Sequence, residues 1–153
     1  MKDHKTEPIS IDPDTYMTDR VKGQLSYYRS KSAYNQQRFK FFKLVTIILA
    51  VSIPFLSSMD WEYASMLIGL MGVLIAVSEG VLGLYKFQDN WLEYRGTSEN
   101  LKREKYLFQT KTSPYNLDDE NKAFHLFVEK VESILGKEST NWKKIMSEEA
   151  EKK

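Results

Sequence analysis

Residues 64–85 of the chain read ASMLIGLMGVLIAVSEGVLGLY, and this stretch decides the fold. Its 22 residues are apolar or small except for one carboxylate, Glu79. A helix needs ~20 predominantly apolar residues to cross the hydrocarbon core of a bilayer. We therefore expect a transmembrane helix that carries a single acidic side chain inside it.

A second apolar run precedes this stretch. Residues 41–59 read FFKLVTIILAVSIPFLSSM and contain one charge, Lys43, near their start. Pro54 lies inside the run, and transmembrane helices tolerate proline where neighbouring groups satisfy the backbone. Only residues 60–63, DWEY, separate the two runs, so we expect an antiparallel hairpin of two spans.

The positions of the basic residues predict how this hairpin is oriented. Of the 22 Lys and Arg residues, nine lie at or before Lys43, thirteen lie at or after Lys86, and none lies between them. Basic residues concentrate in cytoplasmic segments, so both termini are expected in the cytoplasm and the loop outside. The alternative is a soluble protein with a buried helical hairpin, but such a core does not require so complete an asymmetry.

Helical patterns flank both runs, because apolar and small residues recur at alternating spacings of three and four positions on either side. The fold class expected is an all-α membrane protein, a two-transmembrane helical hairpin whose helices extend into a cytoplasmic helical bundle. The second span is expected to continue without a break to about Gln109. The expected boundaries are a flexible N-terminal tail at residues 1–17, a cytoplasmic helix at 18–40, a first transmembrane helix at 41–59, an external loop at 60–63, a second transmembrane helix at 64–85, its cytoplasmic continuation at 86–110, a turn at 111–117, a C-terminal cytoplasmic helix at 118–146 and a tail at 147–153.

Composition argues against several classes of function. A net charge of +1 is unlike a nucleic-acid-binding protein with a broad basic surface, so no nucleic-acid partner is expected. The chain has no cysteine and only two histidines, His4 and His125, which is too few for a His/Cys metal site. It also lacks a phosphate-binding loop, a nucleophile elbow and a zinc-protease motif. We expect no enzyme activity, no cofactor and no metal.

The second span carries a ridge of small residues. Gly72, Ala76 and Gly80 are spaced four apart and so share one helix face, with Gly83 and Glu79 close beside it. Small residues at this spacing let helices pack closely in lipid. The ridge therefore predicts a helix contact, with Glu79 turned away from lipid.

Three interpretations of Glu79 remain open. Copies of Glu79 around an oligomer axis would form a carboxylate ring that attracts cations. Alternatively, Glu79 forms an intramembrane ion pair with Lys43, which lies at the same end of the hairpin and has a long flexible stem. In the third interpretation Glu79 is protonated and donates a hydrogen bond to a neighbouring helix.

The segments that flank the spans resemble a known family. Residues 87–108, FQDNWLEYRGTSENLKREKYLF, and residues 27–40, YYRSKSAYNQQRFK, resemble the SLATT family, the SMODS- and SLOG-associating two-transmembrane effector domains of bacteria, together with related two-span domains of unknown function. The resemblance covers about residues 20–145 and implies a bacterial inner membrane protein that disrupts membranes or forms pores. It further implies control by a cytoplasmic sensor or nucleotide-signalling partner. The residues that carry it are Tyr28, Arg29, Lys31, Asn35, Trp91, Tyr94, Arg95, Leu101, Glu104 and Tyr106.

Two charged residues of this motif raise a question of pairing. Arg95 and Glu104 are nine positions apart, too far for a direct pair on one helix. We expect each to pair with another helix, for example Glu104 with Arg29 or Lys31. The alternative is a cytoplasmic ligand or ion site built from Arg29, Arg95, Glu104 and Tyr28.

These observations lead to one expected function and one alternative. The expected function is a homo-oligomeric two-span ion channel or pore, cation-preferring because of Glu79, and a defence or stress effector by resemblance. Its partners would be further copies of itself and the lipid bilayer. The alternative is a membrane-anchored interaction module whose cytoplasmic helical bundle recruits a partner, and oligomeric state distinguishes the two.

Overall fold

A computed structural model describes the backbone of residues 11–151 and the side chains of residues 11–137. Within residues 11–151 the secondary structure is helical and contains no strand. Residues 1–10 of the expected tail, and the last two residues of the chain, lie outside the described part. The helices are α1 (Pro13–Thr15), a π-helix (Tyr16–Lys22), α2 (Gly23–Ser57), α3 (Ala64–Tyr85), α4 (Phe87–Gln109) and α5 (Glu120–Glu151).

The first helical segment begins earlier than expected, at Pro13 rather than at residue 18. Asp12 is its N-cap, and a side-chain oxygen of Asp12 accepts hydrogen bonds from the backbone N–H groups of Asp14 (3.2 Å) and Thr15 (3.3 Å). Proline at the first helical position has no N–H that would need a partner. Residues 13–17 therefore belong to the folded chain rather than to a tail.

α3 has the bounds expected for the second apolar run, but it does not continue unbroken to Gln109. Lys86 adopts the left-handed conformation, with φ 46° and ψ 41°, and separates α3 from α4. This conformation costs on the order of 1–2 kcal/mol for a residue other than glycine. The side-chain amide of Asn90 donates to the carbonyl oxygen of Tyr85 at 3.0 Å and so gives the end of α3 a hydrogen-bond partner.

α5 begins at Glu120, two residues later than expected, because Asp119 caps it. The carboxylate of Asp119 accepts from the backbone N–H groups of Asn121 (3.0 Å) and Lys122 (3.2 Å). The helix passes through Gly136 without interruption and ends at Glu151, beyond the expected end at residue 146.

The chain divides into two compact units, which we call the aromatic unit (residues 11–28 and 96–151) and the hairpin unit (residues 29–95). The aromatic unit has a core of large side chains. Phe108 of α4 stacks on Phe127 of α5, with ring centroids 4.4 Å apart, and Tyr16 meets Phe127 edge-on. The fully buried side chains of this core are Val21, Leu101, Tyr115, Phe127 and Val131.

The hairpin unit is organised differently. Its less exposed positions form a stripe on each long helix at alternating spacings of three and four, namely Phe42, Val45, Leu49, Ser52 and Leu56 on α2 and Ala64, Ile68, Met71, Ile75, Ser78 and Leu82 on α3. This spacing is typical of helices packed along a coiled-coil seam. Many other bulky residues of the two helices point outward, and Leu84 is 78% exposed and Met66 75%.

Among the residues that the structure describes, two helices are long and apolar enough to cross a membrane, one within Pro13–Ser57 and one within Ala64–Gln109. Almost none of the residues in their apolar segments is buried inside the protein. A core helix of a soluble protein would be mostly covered by its neighbours, so these are candidate spans with an uncovered apolar exterior.

Candidate functional site

The structure brings Lys43 of α2 and Glu79 of α3 together in one chain. The Lys43 Nζ atom donates to Glu79 Oε1 at 3.0 Å, and the two side chains are 47% and 44% exposed. Glu79 lies six residues before Tyr85, or ~9 Å along the helix from the end of α3. Of the three interpretations of Glu79, the intrachain ion pair is the arrangement seen in the single chain.

The small-residue ridge of α3 is exposed. Gly72, Ala76, Gly80 and Gly83 all lie on the outside of the hairpin unit, and Ser65 and Gly69 extend the same face. A Cβ atom added at any of these glycines would meet nothing within 4 Å. The seam of the hairpin uses a neighbouring face of α3, so the expected close packing of the small ridge is not made within one chain. Glu79 lies between the seam and this small-residue face.

The hairpin unit also contains a cleft of about 530 Å³ where the candidate spans end. Lys31, Asn35, Arg38 and Phe42 contribute to it from one face of α2, at spacings of four, three and four. None of the lining residues is acidic. The remaining lining residues are Tyr34, Val81, Tyr85, Phe87, Asn90 and Tyr94.

Stacked rings form the apolar end of this cleft. Phe42 of α2 stacks on Phe87 of α4 with centroids 6.3 Å apart, and Tyr85 stacks on Phe87 at 5.4 Å. At the polar end the Arg38 guanidinium lies over the ring of Tyr34, 5.2 Å from its centroid. The cleft therefore changes from apolar to cationic over its length.

Three residues of the predicted motif, Lys31, Asn35 and Tyr94, line this cleft. Asn35 is buried and its amide donates to the Lys31 carbonyl oxygen at 2.8 Å. The backbone carbonyl of Trp91 lies 3.4 Å from the hydroxyl of Ser32, which donates to it. These contacts join α2 to α4 inside the hairpin unit.

The other motif residues have separate surroundings. Tyr28 and Leu101 are buried in the aromatic unit, and Tyr106 is exposed with the Lys105 ammonium 5.9 Å from its ring centroid. Arg29 and Arg95 are exposed, and neither forms an ion pair with any residue whose side chain the structure describes.

The expected pairing of Glu104 with Arg29 or Lys31 would join the aromatic unit to the hairpin unit, and it stays a prediction. Within the aromatic unit the Glu104 carboxylate accepts a hydrogen bond of 2.5 Å from the hydroxyl of Tyr115, in the loop between α4 and α5. The pKa of Tyr115 is raised above its usual value, mainly by burial and to a smaller extent by this hydrogen bond. The acceptor is therefore a motif residue on α4, and the donor lies in the loop that follows α4.

Sequence reasoning missed a polar cluster in the aromatic unit. The Glu132 carboxylate accepts from the Tyr16 hydroxyl at 2.9 Å and from Arg20 Nε at 2.9 Å and Nη2 at 2.8 Å. The hydrogen bond from Arg20 holds the pKa of Glu132 below its usual value, whereas burial and the nearby carboxylate raise the pKa of Tyr16. The four-residue spacing of Tyr16 and Arg20 was a visible signal, but nothing in the sequence linked them to Glu132.

The described residues show no arrangement of side chains that would hold a catalytic metal ion. Among them, no group of three or more His, Asp or Glu side chains is arranged to hold a metal ion. The absence of enzyme activity stays a prediction.

A model of a family described as "Protein of unknown function (DUF4231)" matches residues 23–123, more than half of the chain. The matched region includes both candidate spans and every residue of the predicted motif. Neither a curated protein nor a solved structure matches the chain. The resemblance to the SLATT family has no counterpart in these matches.

Proposed function

The chain belongs to the DUF4231 family of proteins of unknown function, and we propose that it is a homo-oligomeric two-span membrane protein that forms an ion-conducting pore. One observation carries this proposal. The uncovered small-residue face of α3 adjoins the half-exposed Lys43–Glu79 ion pair. α3 thus has both a small-residue face that can pack closely against another helix and a charged side chain, Glu79, that can line a pore.

Membrane insertion is the first step of the proposal. The exposed residues of the hairpin unit include the bulkiest apolar side chains of both candidate spans, among them Val51, Phe55, Met66 and Leu84. Soluble monomers rarely expose apolar patches larger than a few hundred Å². Lipid would cover this surface without a penalty, and the basic residues at both ends of the hairpin favour cytoplasmic termini in a bacterial inner membrane.

Self-association is the second step. Two spans cannot enclose a pore, so several copies must surround it. In lipid there is no hydrophobic force between helices, and association depends on close packing at small residues. The face formed by Gly72, Ala76 and Gly80 has room for a neighbouring helix, because nothing in the same chain lies within 4 Å of where a Cβ would be at either glycine.

The third step concerns the ion pair. A charged group facing hydrocarbon costs several kcal/mol, and such groups usually face a bundle interior or a water-filled cavity. Packing at the small-residue face would carry the adjoining Lys43–Glu79 pair toward the oligomer axis. We propose that a ring of these pairs lines the cytoplasmic part of the pore. The cation preference expected for Glu79 is then reduced by Lys43, which lies 3.0 Å away.

A role as a defence or stress effector under the control of a cytoplasmic sensor belongs to the same proposal. It rests on the resemblance of the motif residues to the SLATT family, which includes two-span effectors.

A membrane-anchored interaction module is the second candidate. The aromatic unit favours it, because this unit has its own core around Tyr115 and Phe127 and contains neither apolar run. In this alternative the hairpin unit only anchors the chain, and a partner protein binds the aromatic unit.

Reconstitution separates the two candidates. The purified full-length protein is incorporated into liposomes loaded with an ion-sensitive dye, and its oligomeric state is measured by crosslinking in the same liposomes. We expect crosslinked rings and ion flux. Rings without flux at any voltage would overturn the pore, and an inserted monomer without flux would support the anchor.

A further inference from the structure

The cleft of the hairpin unit has the polarity of a membrane interface. Its apolar end contains Phe42 and Tyr85, which lie at the inner ends of the two candidate spans, and its polar end contains Lys31, Asn35 and Arg38. A phospholipid has the same order of groups, with acyl chains, then glycerol, then phosphate. The cleft is therefore oriented so that a lipid entering from the bilayer would bring its phosphate toward Arg38.

Distances along α2 show which cation would meet that phosphate. Arg38 is four residues from Phe42, or ~6 Å along the helix axis, whereas Lys31 is eleven residues away, or ~16 Å. Each headgroup layer of a bilayer is about 5–8 Å thick. Arg38 thus lies at the depth of the lipid phosphates, and Lys31 lies beyond them.

The surroundings of Arg38 leave its donors available. The guanidinium lies over the ring of Tyr34, and no side chain described by the structure forms an ion pair with it. A guanidinium presents several N–H donors in a fixed fork that matches phosphate oxygens. Asn90, also in the lining, has a second amide N–H on the α4 side besides the one that it donates to the Tyr85 carbonyl oxygen. Since the lining has no carboxylate, nothing within it repels an anion.

We propose that this cleft binds the phosphate group of an anionic phospholipid from the cytoplasmic leaflet, with Arg38 as the principal donor. The inference rests on the membrane insertion that is part of the proposed function, but it requires neither a pore nor a ring. A lipid held between α2 and α4 would contact the motif residues Asn35 and Tyr94, which gives these two residues a role in recognition.

The test uses the full-length protein in neutral detergent micelles, where no membrane surface potential acts. Native mass spectrometry measures how much phosphatidylglycerol each chain retains, with phosphatidylcholine as the competing lipid. Arg38→Gln is the test variant. Lys40→Gln is its matched control, because Lys40 is an exposed cation two residues away that does not line the cleft. Arg38→Lys retains the charge without the fork.

We expect Arg38→Gln to weaken phosphatidylglycerol retention about tenfold, the effect of losing hydrogen bonds to a charged group. Lys40→Gln should change retention less than twofold, and Arg38→Lys should give an intermediate value. Equal losses in Arg38→Gln and Lys40→Gln would overturn the proposal, because they would indicate general charge attraction.

A second arm distinguishes the source of the phosphate. Displacement of phosphatidylglycerol by inorganic phosphate at equal concentration would also overturn the proposal, since it would indicate a site for a soluble anion. If the protein retains phosphatidylglycerol in a way that depends on Arg38 but shows no ion flux, the lipid site is supported and the pore is rejected. A protein that stays out of liposomes and retains no lipid would reject both.

Discussion

The aromatic unit and the hairpin unit bury opposite kinds of residue. The aromatic unit covers several large side chains completely, among them Tyr115 and Phe127. The hairpin unit covers small or polar residues, namely Ser32, Asn35, Ala64 and Ser78, and exposes leucines, valines and phenylalanines. Both units are helical, so they differ in which residue types are buried rather than in secondary structure.

The contrast is what is expected if the hairpin unit spans a membrane as proposed and the aromatic unit lies in water. In water the burial of large apolar side chains is the main source of stability. In lipid that source is absent between helices, and small residues at the contacts are favoured instead. The aromatic unit follows the first rule, and on the proposal that the hairpin unit spans a membrane, its small-residue face would follow the second in contacts between copies. The same contrast applies to charges, because Glu132 accepts three hydrogen bonds in the aromatic unit and Glu79 accepts one, from Lys43.

Deleting a large side chain from each unit gives the largest expected difference. Phe127→Ala should destabilise the aromatic unit by about 3–5 kcal/mol, because the ring is fully buried and stacked on Phe108. Leu84→Ala should change stability by less than about 0.5 kcal/mol, because that side chain would contact lipid both before and after unfolding. Thermal unfolding in micelles, followed by circular dichroism, measures both. Equal destabilisation by the two substitutions would contradict the contrast.

Filling the small-residue face should affect assembly while leaving the fold intact. Gly72→Leu adds a side chain where nothing in the chain lies within 4 Å, so helix content should be unchanged. In the oligomer the same side chain would separate the packed helices, at a cost of about 1–3 kcal/mol per contact, or roughly five- to 150-fold in the dissociation constant.

The matched control for Gly72→Leu is Val77→Leu, on an exposed bulky position of the same helix. It should leave crosslinking in liposomes at the level of the unmodified protein. Oligomers that persist in Gly72→Leu would show that the small-residue face is not the contact.

Local and long-range features differ in how far the sequence could predict them. The bounds of α3 follow from a long apolar run, since hydropathy is a local property that survives into the structure. The break at Lys86 leaves no such signal, because the left-handed position carries a lysine where glycine would have marked it. Glu132 was unpredictable for another reason: its partner Arg20 is 112 residues away, and only the folded aromatic unit brings them together.

The candidate site was predictable in part for the same reasons. Lys43 and Glu79 were paired in advance as one of three interpretations, because both lie near the same end of a short hairpin. The cleft was not foreseen, although Lys31, Asn35 and Tyr94 were selected as motif residues. These residues line one cleft only because α2 packs against α4, and nothing in the sequence of either segment alone specifies that packing.

Changing one partner of the ion pair at a time should shift ion selectivity in opposite directions. Lys43→Gln leaves Glu79 as a lone carboxylate and should raise cation over anion permeability, and Glu79→Gln should lower it. A unit charge 4 Å from a hydrated ion is worth ~1 kcal/mol in water, so each shift should be about fivefold. Reversal potentials in asymmetric salt measure the ratio.

The double substitution Lys43→Gln with Glu79→Gln is the control for these shifts and should return near the unmodified ratio. Equal ratios in all four proteins would show that the pair does not line the conducting path, and a channel would then need another lining.

The smallest expected effect concerns the acid stability of the aromatic unit. Arg20 holds the pKa of Glu132 below its value in the unfolded chain, so the ionised carboxylate stabilises the folded state. This contribution is complete above the unfolded pKa of about 4.3 and is lost as the pH falls through the lower folded value. Both side chains of the ion pair are partly exposed, 44% for Arg20 and 42% for Glu132, so the loss should be under about 1 kcal/mol.

Glu132→Gln tests this linkage, because it keeps the size of the side chain and removes the charge. Its melting temperature should be below that of the unmodified protein at pH 7, and the difference should shrink as the pH falls below 4. Glu129→Gln, an exposed position three residues earlier on α5, is the matched control and should show no such convergence. A pH-independent difference for Glu132→Gln would mean that the charge of Glu132 does not stabilise the unit, and the charge contrast between the two units would then fail.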